Sequence, residues 1–96
     1  MNDVPLFQKR LQVELENRKK KNPRYSARAF ARTLDIDVAA ISRILSGKQI
    51  PSLSLSEKIS RKLGFSELAR REFIASVIQA QIDELTQKLE RYLDHI

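Results

Sequence analysis

The sequence has no cysteine, one histidine, two glycines and three prolines in 96 residues. Without cysteine there is no disulfide framework and no thiolate metal site, and the absence fits a reducing cytoplasm. So few turn-forming residues leave long uninterrupted segments, which favours helices over a sandwich or a barrel. No run of about 20 apolar residues exists to span a membrane, and the opening Met1-Asn2-Asp3-Val4-Pro5 lacks the basic-then-apolar pattern of a signal peptide. Two glycines are too few for a Walker loop or another glycine-rich phosphate cradle. The lone histidine, His95, reads as a tail residue. Asp35 and Asp37, two apart, suit helix capping better than acid–base chemistry. No enzyme, cofactor, metal or small-molecule site is expected.

What is present is apolar and basic. Hydrophobic residues make up 42% of the chain, enough for one globular domain. A chain of this length buries only roughly 60–65% of its unfolded surface, so the core is small and a partner subunit would add to it. The formal net charge is +6, and it is unevenly placed. Residues 1–65 carry 14 Lys/Arg against 6 Asp/Glu, a net +8, whereas residues 66–96 carry 4 against 6, a net −2. A basic body with a mildly acidic tail points to a polyanionic partner for the body, although a basic surface also serves solubility alone.

Five helices are expected, an all-α chain. The first runs from about Val4 to Lys21, capped by Asp3, with Pro5 in its first turn and a stripe of Phe7, Leu11 and Leu15. Arg18, Lys19, Lys20 and Lys21 suit the negative end of its dipole, and Asn22-Pro23 stops it. The second opens at Ser26 and ends at Leu34, with Ala27, Phe30, Ala31 and Leu34 inward. The third follows the cap Asp37, spans Val38 to Ser46 with Ile41, Ile44 and Leu45 inward, and is closed by Gly47. The fourth starts at Ser54, where Ser54-Leu55-Ser56-Glu57 fits a capping box, and carries Leu55, Ile59 and Leu63 up to Gly64. The fifth opens at Ser66 and continues towards the end, with Leu68, Phe73, Ile74 and Val77 covering the bundle.

Beyond that point the period changes. Ala75, Ile78, Ile82, Leu85, Leu89, Tyr92 and Ile96 are spaced alternately by three and four, a heptad seam. A lone helix of this length is marginal in water, so the seam needs a cover. A homodimer through Ile78, Ile82, Leu85, Leu89 and Tyr92 is the favoured reading. Folding back onto the chain's own bundle, or docking on a further domain of a longer protein, are the alternatives.

The stretch Tyr25 to Phe65, two short helices joined by Asp35-Ile36-Asp37, suits a helix-turn-helix. Ala31 stands where the Cro/CI-like family has its small alanine, and Ile41, ten residues on, at that family's buried branched position. Phe30, Leu34, Ile36 and Ile44 fill the other inward slots. The run Ser46-Gly47-Lys48-Gln49-Ile50-Pro51-Ser52-Leu53 resembles the loop after the family's recognition helix, and Ile59 with Lys62-Leu63-Gly64-Phe65 resembles its fourth helix and exit. The segment Arg18 to Arg32, with Arg71-Glu72-Phe73-Ile74 and Val77, is similar to the front of a group of bacterial regulator-like proteins that carry this domain before a C-terminal region of unknown function. The likeness covers roughly residues 6–80. It implies a five-helix lambda-repressor-like helix-turn-helix bundle over residues 1–73, with an extended C-terminal amphipathic helix over 74–96. Two departures stand out. Asp35 replaces the usual turn glycine, at some conformational cost. Ala27 and Val38 stand where the family often has glutamines that touch phosphate and bases, which weakens the expectation of strong sequence reading.

The resemblance implies double-stranded DNA as partner and transcriptional regulation as role, in the cytoplasm on the nucleoid. The outward face of the third helix presents Val38, Ala39, Ser42, Arg43 and Ser46 to base edges. Arg43 has the donors to grip guanine O6 and N7, while Val38 and Ala39 suit thymine methyls. Phosphate contacts fall to Ser26 and Arg28 at the opening of the second helix, and to Lys48, Gln49 and Ser52 in the loop. The cations from Arg18 to Arg24 either flank the DNA or solubilise a helix end. Six phosphate contacts would give a salt slope of about −5. The alternative function is a protein–protein interaction module on a degenerate helix-turn-helix scaffold, since a fold does not fix its use. A non-specific nucleoid packer is a third.

Overall fold

The computed structural model describes residues 4–95, and these form five α-helices with no strand among the described residues. They are α1 (Leu6–Lys21), α2 (Ala27–Leu34), α3 (Val38–Leu45), α4 (Leu53–Lys62) and α5 (Glu67–Leu93). Capping side chains set most of the starts. Ser26 Oγ accepts from the Ala29 N–H at 3.2 Å, Asp37 Oδ2 from Ala40 at 3.2 Å, and Ser66 Oγ from Ala69 at 3.1 Å.

Three helix ends close the same way. A left-handed residue follows each, Asp35 (φ 55°), Gly47 (φ 80°) and Gly64 (φ 67°). The next N–H then reaches back five residues: Ile36 to Ala31, Lys48 to Arg43 and Phe65 to Ser60. Asp35 holds this conformation with help from α4. Lys58 Nζ donates to the Asp35 carbonyl at 2.5 Å and lies 3.2 Å from its Oδ2.

One face of each helix meets in a single core. Phe7, Leu11 and Leu15 of α1 pack with Phe30, Ala31 and Leu34 of α2 and with Ile41 and Ile44 of α3. Ile59 of α4 and Phe73 and Val77 of α5 complete it. Phe73 meets Phe7 and Phe65 edge-on, at 6.5 and 5.5 Å between ring centroids.

Several expectations need correction. The first helix begins at Leu6, with Pro5 at its cap position rather than inside its first turn. The proposed cap Asp3 and the last seam residue Ile96 lie outside the described residues. The third helix ends at Leu45, so Ser46 flanks it. The fourth starts two residues early, on Ser52, whose Oγ accepts from Leu55 N–H at 3.1 Å. Glu57, the far member of the supposed capping box, turns instead to Arg70. The buried face of α4 is Ser56, Ile59 and Ser60, while Leu55 and Leu63 are only half-buried. Both buried hydroxyls donate to the carbonyl one turn back, at 2.7 and 2.9 Å, which removes the penalty of an unpaired polar group. Leu68, expected to cover the bundle, is 67% exposed.

The helix α5 makes the molecule long. Its 27 residues span about 40 Å at 1.5 Å per residue, and the chain measures 54 × 27 × 27 Å. Its radius of gyration, 14.9 Å, exceeds the about 12.5 Å of a compact chain of this length. The helix docks on the body through Phe73, Ile74, Val77 and Ala80. From residue 82 to its end every residue is exposed.

Candidate nucleic-acid interface

Helix α3 buries Ile41 and Ile44, and this alone decides what it shows to solvent. Ala39, Ser42, Arg43 and Ser46 are exposed. Their spacing of three and four puts them on one face. Val38 is half-buried and lines a shallow depression with Arg28, Arg32 and Ile36, at the step from α2 to α3. Arg28 is exposed.

The far end of α3 is held by α1. Gln8 and Gln12 each donate a side-chain N–H to the Leu45 carbonyl, at 3.1 and 3.0 Å. That carbonyl is one of the helix-end groups with no partner inside the helix. The loop that follows carries Lys48, exposed, and Gln49, half-buried. The Nε–H of Arg43 donates to Gln49 Oε1 at 2.8 Å, so a candidate base contact and a candidate phosphate contact are joined within the protein. On its other side the loop is tied to α5, where Gln81 Nε2 donates to the Pro51 carbonyl at 3.2 Å.

Ser26 and Ser52 are both exposed, and both use their hydroxyl oxygen as a helix cap. Each hydroxyl proton is still free of that bond, beside the N–H groups that open α2 and α4. Ser52 lines a shallow depression with Ser54, Lys58 and Arg61, which brings two cations from further along α4 to the same surface; the sequence had not singled them out, and Lys58 also bonds Asp35.

The cationic run at the end of α1 divides in two. Arg18 is half-buried, with its guanidinium 5.9 Å from the ring centroids of both Tyr25 and Phe30. Its Nε is buried with no acceptor among the described residues, and the two π faces take up the charge. Lys20, Lys21 and Arg24 are exposed. The seam residues Ile78, Ile82, Leu85, Leu89 and Tyr92 are exposed along α5.

Two short helices across a tight turn, the second turning a polar face outward beside a cationic loop, define a helix-turn-helix. A helix-turn-helix family model matches residues 16–69, more than half of the chain. The chain belongs to the Cro/CI-like helix-turn-helix family, a family of DNA-binding domains. The matched stretch ends just inside α5, so the exposed seam lies beyond it. No curated protein and no solved structure matches the chain. Among the described residues no helix is long and apolar enough to cross a membrane.

Proposed function

We propose that the protein is a DNA-binding transcriptional regulator that lays α3 in the major groove of a duplex and acts as a homodimer on the nucleoid. The observation that carries this reading is the exposed face Ala39, Ser42, Arg43 and Ser46 on a helix whose other face is locked into the core. Arg43 is the only charged residue on α3. Base reading is therefore narrow, and most of the affinity comes from phosphates met by Ser26, Arg28, Lys48 and Ser52.

The dimer is carried by α5. Exposure of its seam residues runs from 39% at Ile78 to 76% at Tyr92. An apolar stripe of this regularity, uncovered among the described residues, fits a second copy of itself. A two-fold pair would read half-sites roughly 34 Å apart.

The test is an anisotropy titration of labelled duplexes at about 50 mM salt and above. Binding that weakens with salt at a slope of about −5 is expected. The second reading, a protein-interaction module, draws on the same face of α3, which apart from Arg43 is small and neutral. Absence of duplex binding at micromolar protein would decide for it.

A further inference from the structure

The loop after α3 turns back on the helix so that residue 49 lies beside residue 43. Gly47, at φ 80°, makes the reversal, and the Lys48 N–H closes it on the Arg43 carbonyl at 2.8 Å. Ser46 Oγ donates to the same carbonyl at 3.2 Å. Past Gln49 the chain is fixed again, because Pro51 is buried and its carbonyl takes the Gln81 amide. Gln49 is thus held at both ends, and its Oε1 accepts the Arg43 Nε–H at 2.8 Å.

A guanidinium offers two two-pronged edges, one made by Nε and one Nη and the other by both Nη atoms. Gripping guanine O6 and N7 takes two donors from one edge. With Nε–H given to Gln49, only the end-on Nη pair remains. We infer that Gln49 is a positioning residue: it commits the side edge of Arg43 to the protein and presents the end edge to a guanine. The inference rests on the reading of Arg43 as the base contact. It competes with the expectation that Gln49 meets a phosphate: that contact would use the Nε2 donors, whereas the bond to Arg43 uses Oε1, and experiment separates the two roles.

The bond also restrains a long side chain that would otherwise sample many rotamers before binding. Its removal should cost discrimination at one base pair while leaving the non-specific part of the affinity in place.

The experiment begins with selection of a preferred duplex from random sequences by the wild type. The base pair at which Arg43→Ala loses its preference is then identified. At that pair Gln49→Ala is expected to lose about five-fold of discrimination, the size of one net hydrogen bond. Its affinity for random duplex, its salt slope and its melting temperature stay at wild-type values. Gln49→Glu keeps an acceptor for Arg43, so it retains the discrimination while its charge weakens all duplexes. In the free protein, nitrogen-15 spectra show a protected Arg43 Nε–H in the wild type and its loss in Gln49→Ala. Equal weakening of selected and random duplexes by Gln49→Ala would make Gln49 a phosphate contact and overturn the inference, with the salt slope unmoved because the amide carries no charge. An Arg43 Nε–H signal that is the same in both proteins would overturn it without any DNA present. If Arg43→Ala loses its preference and Gln49→Ala does not, the positioning role alone fails. If Arg43→Ala keeps the wild-type preference, the reading beneath it fails as well.

Discussion

Leu85 lies mid-seam on α5 and is 64% exposed. Fully burying a leucine side chain stabilises by about 1.5–3 kcal/mol. If a partner copy covers the exposed two-thirds, each Leu85 contributes about 1–2 kcal/mol, and the two copies about 2–4 kcal/mol. Leu85→Ala should then raise the dimer dissociation constant by roughly 30- to 700-fold, at 1.4 kcal/mol per tenfold. Because the side chain touches little of its own chain, the monomer fold should be unaffected. Gln87→Ala is the control, because residue 87 points about 200° round the helix from residue 85. Sedimentation equilibrium measures both. The wild type is expected at about twice 11.1 kDa, with Leu85→Ala shifting to monomer at concentrations where Gln87→Ala does not. A wild type that sediments as a monomer at high concentration, or a dissociation constant unmoved by Leu85→Ala, would refute the seam.

Two further outcomes concern stability. Gly47→Ala should destabilise more than Gly64→Ala in urea melts. Both positions are left-handed, but a Cβ at 47 would come within 3.0–3.1 Å of the Gln8 amide that bonds Leu45, whereas one at 64 meets nothing within 4 Å. The strain common to both is about 1 kcal/mol, and equal losses would show that Gln8 yields freely. The second outcome is a pH dependence. Arg70 bonds both Glu57 and Glu67, and its guanidinium, with help from Arg71, holds the Glu67 carboxyl below the ordinary value of 4.5. A lowered folded-state value means stability that is fully present above about 4.5 and lost as the pH falls through the lower value. Arg70→Met should flatten the acid limb of thermal melts between pH 5 and pH 3, and an unchanged limb would exclude this cluster.

Much of the fold was legible because local chemistry decided it. Ser26, Asp37 and Ser66 cap the helices that follow them, and Gly47 and Gly64 close two helix ends. The start of α4 misled because Ser52, Ser54 and Ser56 all offer a capping hydroxyl. The cap is Ser52, and Glu57, the other half of the expected box, pairs with Arg70 thirteen residues away, a contact with no local signature. The same limit hid the hold of Gln8 and Gln12 on Leu45, and the inward turn of Arg18 against Tyr25 and Phe30. The exposed face of α3 followed from its period, since Ile41 and Ile44 fix which side is buried. The pairing of Arg43 with Gln49 did not, because it depends on the reversal at Gly47 and on how the loop seats against α5.

The division of labour between α3 and its loop is tested most directly by paired titrations of Arg43→Ala and Lys48→Ala, each on the selected and on a random duplex across a salt series. Arg43→Ala should bring the selected duplex down towards the random one, by about 1–3 kcal/mol at its base pair. Lys48→Ala should weaken both duplexes alike and flatten the salt slope by about one. Equal losses on both duplexes for both variants would contradict the account, because Arg43 would then be one more cation and α3 would read nothing.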